Sequence, residues 1–249
     1  ASTALQNVAL GHGAMQGVPA SIALGYCVAI GKDALYGAAG TTTGADGTVA
    51  IGYQSLKALT SGANNVAIGE NAGLLMTTNN ACVAIGFGAL QAADGGDDYN
   101  IAIGYNAGYG INHDGSHDNV IIGSEAGTGG SAAAFSSNIA IGTSVLQDTG
   151  TNASTGQIGI GFRALKELTS GTQNLAIGYQ AMKVHTTGSD NLAIGYEAMD
   201  DTDAGSTSLG SQRNIFIGSH CGGGTWTDAD SSYNTAIGVF AMDSALAGS

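Results

Sequence analysis

Asn174-Leu175-Ala176-Ile177-Gly178-Tyr179-Gln180-Ala181-Met182 is followed, 17 residues on, by Asn191-Leu192-Ala193-Ile194-Gly195-Tyr196-Glu197-Ala198-Met199. Two near-copies at a fixed period read as successive units of a stack. In either copy the aliphatic residues flanking Ala are two apart, so they share one side of a short strand and Ala lies on the other. A strand this short cannot bury a face alone, whereas identical strands stacked at ~4.8 Å cover one another.

The phrase Asn, then Val/Ile/Leu, Ala, Ile/Leu and Gly occurs, with substitutions, fourteen times. Its glycines are Gly11, Gly25, Gly31, Gly52, Gly69, Gly86, Gly104, Gly123, Gly142, Gly161, Gly178, Gly195, Gly218 and Gly238. Apart from the steps of 14 and six around Gly25, they are 17 to 23 residues apart. This predicts an all-β chain forming a parallel β-solenoid (β-roll or β-helix) of about thirteen coils over residues 1–249, a single array with one doubled motif near its start.

The repeat is carried by Asn65, Ile68 and Gly69, by Asn100, Ile103 and Gly104, by Asn174, Ile177 and Gly178, and by Asn191, Ile194 and Gly195. The aliphatic pair is expected to face the interior and Ala the outside, where a small side chain would admit another layer. Gly turns the corner after the strand, and Asn, at the corner before it, can ladder its amide up the stack. A small residue three places past Gly (Ala72, Ala89, Ala107, Ala126, Ala164, Ala181, Ala198) predicts a second short strand closing each coil. The polar stretches between coils read as loops.

The 42 glycines in 249 residues are far above the ~7% usual in globular domains, and suit a chain that turns often. A net charge of -13 opposes phosphate backbones and anionic bilayers, which excludes nucleic acid as a partner. No apolar run is long enough for membrane insertion. Cys27, Cys82 and Cys221 are too scattered for a disulfide scaffold and are expected to be free thiols.

Catalysis is not expected. Sugar cleavage needs two carboxylates ~5–9.5 Å apart, yet Glu125 and Glu197, each second after its glycine, have Asn, Ser, Gln or His in that register on neighbouring coils. No cofactor is expected. Calcium is the one cation whose oxygen ligands are in supply, at Asp97-Asp98 or Asp200-Asp201-Asp203, and His113-Asp114 with His117-Asp118 could add nitrogen ligands. Against this, no stretch matches the EF-hand or the Gly-rich calcium nonapeptide. Ice binding would need regular Thr rows, and Thr41-Thr42-Thr43, Thr77-Thr78 and Thr186-Thr187 fall at scattered registers.

Aromatic residues follow the motif glycine directly at Tyr26, Tyr53, Phe87, Tyr105, Phe162, Tyr179 and Tyr196. Phe162, Tyr179 and Tyr196 lie on consecutive coils and should form a ladder. Such a ladder either stiffens the stack or offers a glycan-binding strip.

The Asn-x-Ala-Ile-Gly text resembles the head repeats of trimeric autotransporter adhesins, which are left-handed parallel β-rolls. The longer phrase at Asn174 to Met182, with its Thr-Thr-Gly loops, is similar to repeats of bacteriophage tail-fibre proteins. The likeness extends over essentially the whole chain, although the coils here are longer than the roughly fourteen-residue coils of adhesin heads. It implies a homotrimeric fibre, extracellular on a virion or cell surface, that acts in attachment to a glycan or protein receptor. It carries over no catalytic residue. The alternative is a passive filament subunit or spacer joined end to end.

Overall fold

A computed structural model describes residues 6–18, 24–37, 42–129, 133–149, 153–200, 211–224 and 231–243. Among these residues there is no helix, and the chain is a parallel β-solenoid. It divides into two compact units, Ala1–Ile121 and Ile122–Ser249.

In the first unit, β1 (Val8–Leu10), β2 (Val28–Ile30), β3 (Val49–Ile51), β4 (Val66–Ile68), β5 (Val83–Ile85) and β6 (Ile101–Ile103) pair in sequence order, all parallel. The register never slips: Val28 pairs with Val49, Ala29 with Ala50 and Ile30 with Ile51. Strand β7 (Val120–Ile122) spans the boundary between units. The second unit repeats the arrangement with β9 (Ile139–Ile141), β11 (Ile158–Ile160), β12 (Leu175–Ile177), β13 (Leu192–Ile194), β14 (Ile215–Ile217) and β15 (Thr235–Ile237). The short pair β8 (Phe135–Ser136) and β10 (Ser154–Thr155) belongs to the loop segments. Gly25 follows no strand of the repeat, and this is the irregularity behind the doubled motif.

The two faces of the strands are the reverse of the sequence expectation. The central residues Ala29, Ala50, Ala67, Ala84, Ala102, Ala140, Ala176 and Ala193 are fully or almost fully buried, while their aliphatic neighbours are half-buried or exposed. Coil width is the cause. A Cβ placed on Gly159, which stands in the Ala column, would lie 2.5 Å from the Val145 side chain and 3.6 Å from the Ala164 carbonyl and the Leu165 side chain. At this level the side chains that follow the glycine already fill the interior and leave no room even for a methyl group, and Ala is the usual occupant of the column on the other strands.

The segment after glycine also differs from the expectation: among the described residues the small-residue column three past glycine forms no strand. The chain passes through turns whose second and fourth residues after the glycine sit in the left-handed region, as at Gln180 (φ 56°) and Met182 (φ 51°), or Glu197 (φ 50°) and Met199 (φ 51°). A left-handed turn costs an L-residue roughly 1–2 kcal/mol. Here it aims the fourth residue into the core, where Leu35, Leu56, Leu90, Leu146, Leu165, Met182 and Met199 are fully buried. Adjacent turns still bond coil to coil, with Leu56 N–H donating to the Ala72 carbonyl at 3.0 Å and Leu90 N–H to Ala107 at 3.0 Å.

Where the fourth position is Gly, a larger side chain from elsewhere fills the space. An added Cβ at Gly73 would meet Met76 at 2.7 Å and Leu56 at 2.8 Å. One at Gly222 would meet Phe216, and one at Gly108 would meet Leu90, with Ile111 and Ile121 next. Phe216 and Ile121 replace the usual strand Ala, so large and small residues exchange places at nearly constant core volume.

Candidate functional site

The Asn column forms the expected ladder, and it is buried. Asn174 Oδ1 accepts from the Asn191 backbone N–H at 3.0 Å, Asn191 Oδ1 from Asn214 N–H at 3.1 Å, and Asn214 Oδ1 from Asn234 N–H at 2.9 Å. Amide nitrogens of the column also donate to loop carbonyls: Asn65 to Asn79 at 2.7 Å, Asn100 to Ser116 at 2.7 Å and Asn174 to Gly188 at 2.8 Å. Gln157 serves as a rung at 3.0 Å. One side chain thus satisfies the strand start and the preceding loop, and the column's role is structural.

Cys27 and Cys82 occupy this same column. Their thiols point to the loop carbonyls that Asn would reach, Ala45 at 3.1 Å and Asp97 at 3.2 Å. Cys221 stands in the small-residue column three past glycine. All three are free and buried. Burial pushes the Cys82 thiol up to about 12 and raises the other two, so they are poor nucleophiles.

The aromatic ladder exists and is longer than the sequence indicated. Phe162 and Tyr179 stack with centroids 5.2 Å apart, and Tyr179 and Tyr196 at 5.0 Å with 4° between planes. The row continues through His220 (5.3 Å) and Phe240 (4.9 Å beyond), which sit second after their glycines. That shift of one position hid them from a search of the first position alone. Phe87 and Tyr105 form a separate stack at 5.5 Å in the first unit. Both faces of Tyr179 are taken up by ladder neighbours, so it offers a ligand a ring edge and a hydroxyl. Glu197 borders the row, pairs with His220 at 3.1 Å and, by accepting from the Tyr196 phenol, raises that group's pKa.

Glu125 accepts from the Gln147 amide at 3.1 Å, so the two glutamates meet an amide and an imidazole. Among the described residues no group of three His, Cys, Asp or Glu side chains is placed to hold a metal. Asp201 and Asp203, like Thr41, lie outside the described residues. His117 bonds Asp118 at 2.9 Å, and His113 the Asp114 carbonyl at 2.8 Å. Of the Thr candidates, Thr42 donates its hydroxyl to the Leu59 carbonyl at 3.3 Å, while Thr77 and Thr186 accept through their backbone carbonyls from the hydroxyls of Thr60 at 2.9 Å and Thr169 at 3.0 Å.

Asp97 is fully buried. Its Oδ2 accepts from the Asp94 N–H at 3.3 Å, and its Oδ1 has no hydrogen-bond partner among the described residues. Loss of solvent, reinforced by the charges of Asp94 and Asp114, pushes its pKa up to about 7. A raised folded-state pKa means that the native state holds the proton more tightly, so the stabilising contribution is complete below about pH 4 and is lost as pH rises through about 7. Asp97→Asn should therefore leave stability at pH 4 nearly unchanged and raise it at pH 8 by on the order of 4 kcal/mol. Urea melts of both proteins at the two pH values measure this; an equal difference at both would remove the ionisation account.

No protein-family model, no curated protein and no solved structure matches this chain. What it does is read from its own surfaces.

Proposed function

We propose that this chain is a segment of an extracellular or virion-borne fibre that acts in attachment and presentation, without catalysis, and that it assembles with copies of itself, three around an axis parallel to the stack. One observation carries the reading: the outward face of the strands. Its two columns contain only Val, Ile and Leu apart from Thr235, and no charge enters them in a chain of net charge -13. Even inside the stack Ile68 and Ile101 remain 36% exposed. Monomeric proteins rarely leave so continuous an apolar surface to water. A second copy has the same spacing between strands, so its ridges meet these grooves at every coil, and rotational symmetry closes the contact. The number three, and the place on a virion or cell, rest on the resemblance to adhesin heads and tail fibres.

A passive spacer is the second reading, and the aromatic row favours it. Ring faces stacked on one another stiffen the array and leave less surface for a sugar. Sedimentation and light scattering on the 24.4 kDa chain separate the outcomes. A discrete particle of three chains is expected; open-ended growth would favour the end-to-end filament, and a stable monomer at micromolar concentration would end both. Retention of the labelled particle on intact cells then tests attachment, and retention no greater than that of an unrelated acidic protein would leave the spacer.

A further inference from the structure

We propose that the first unit carries a binding groove for a small monocarboxylate with an apolar body, an alkyl or aryl acid, held with its charge on Lys57. The groove is a hollow of about 530 Å³ bordered by Tyr36, Gly37, Lys57, Ala58, Leu74 and Leu75. That volume is within the ~300–1,000 Å³ of small-molecule sites.

The repeat register explains why a hollow forms here. The Ala58 N–H bonds the Leu74 carbonyl and the Leu75 N–H the Gln91 carbonyl, which places Ala58, Leu75 and Ala92 in one column. Gly17 and Gly37 hold the same register, since the Gly17 N–H bonds the Tyr36 carbonyl. Among Gly17, Gly37, Ala58 and Ala92 of this column in the first unit, Leu75 is the large side chain, and it is 50% exposed. Core packing does not require it, because Met76 already fills the space above Gly73. Low residues at Gly37 and Ala58 beside a tall Leu75, with Tyr36 and Leu74 alongside, make an apolar trough.

Its charge is one-signed. Lys57 is half-buried and makes no ion pair with a described residue, whereas Lys166 and Arg213 each have an acidic neighbour. Beyond Lys57 and Tyr36 the surface turns polar, with a second hollow of about 430 Å³ that also takes in His12, Gln16 and Asp33. An amphiphile aligned with the stack would place its tail on Leu74 and Leu75 and its carboxylate on Lys57, where apolar lining gives way to polar. The Asp33 carboxylate on that polar side disfavours a dianionic head. None of the lining residues belongs to the outward strand columns, so this groove and the self-association surface are separate.

The test is a titration of the full chain with decanoate, and separately with decyltrimethylammonium and with acetate, each below micelle-forming concentration, followed by the methyl signals of Ala58, Leu74 and Leu75. Decanoate should shift these signals. The cation should bind on the order of tenfold more weakly, the difference a charge-assisted contact makes, and acetate should not register. Lys57→Met should erase the preference for the anion. Ala58→Phe, which fills the trough, and Leu75→Ser, which removes its wall without crowding, should both abolish the shifts while circular dichroism stays that of the parent. Equal binding of cation and anion, shifts spread evenly over strand methyls such as those of Ile68, or decanoate binding unchanged in both trough variants would overturn the proposal.

Discussion

Ala176→Asp should unfold the coils around it, and Ile177→Asp, one residue on, should leave the isolated chain folded while removing its self-association. Ala176 lies between Gly159 and Ala193 on the neighbouring strands, is fully buried, and faces an interior in which Leu165 and Met182 are fully buried too. A carboxylate there has neither space nor a partner, and a loss on the order of 4 kcal/mol or more follows. Ile177 is only half-buried, between Ile160 and Ile194 on the outward face. An Asp at that position keeps its hydration in the single chain and gives up aliphatic contact and strand preference, about 1 kcal/mol. Between two copies of the chain the same charge would be buried without a partner. Thermal melts below the assembly concentration, paired with sedimentation above it, read both effects. Equal loss of melting temperature in the two variants would sink the face assignment, and unchanged sedimentation of Ile177→Asp would sink the interface.

Much of this fold was legible in the sequence, and each failure has a physical reason. Strand positions and register could be read because Gly marks the corner after each strand and Asn the corner before most of them: Gly for its positive φ, Asn for the bonds its amide makes to the next strand and to the loop. Which face looks inward could not be read the same way. A period of two separates two faces but does not say which is inside, and the rule that larger apolar residues are buried fails where the side chains that follow the glycine already fill the enclosed space. The closing segment was misread as a strand because Ala181-Met182 is apolar and short. What decides its conformation is that Met182, at φ 51°, reaches the core only through a left-handed turn, which propensities disfavour. His220 and Phe240 were missed in the ladder because stacking follows space and not alignment column. Asp97, grouped by composition with exposed loop acids, is buried because its register in the stack holds Asn79 and Ser116, both also buried. The trough at Lys57 was invisible for a similar reason: it arises from the relative heights of residues on three successive coils, Gly37, Ala58 and Leu75.

Gly69→Ala should be among the most damaging single-methyl additions possible in the first unit. Gly69 has φ +136°, and a Cβ there would lie 2.5 Å from the carbonyl oxygen of Gly86 and 2.7 Å from its carbon. Both atoms are backbone, so no side chain can turn aside. Nor can the coils separate locally, because the Gly69 N–H bonds the Ile51 carbonyl and the Gly86 N–H bonds the Ile68 carbonyl, each at 2.8 Å. The same contact recurs up the column, from Gly31 to Gly52 and from Gly86 to Gly104, so the stacking distance is set by glycine lying on glycine. Backbone strain accounts for ~1–3 kcal/mol, and the overlap should bring the total to on the order of 4 kcal/mol or more. In a stack each coil is stabilised by its neighbours, so the break should detach coils on both sides and broaden or split the unfolding transition. Gly115→Ala separates the two contributions. Gly115 also has positive φ, +95°, but an added Cβ meets no heavy atom within 4 Å, so that variant carries strain without overlap. Its loss should stay near 1 kcal/mol. Urea melts of both variants make the comparison, and equal destabilisation would mean that conformation alone, and not the contact of glycine on glycine, holds the coils at their spacing.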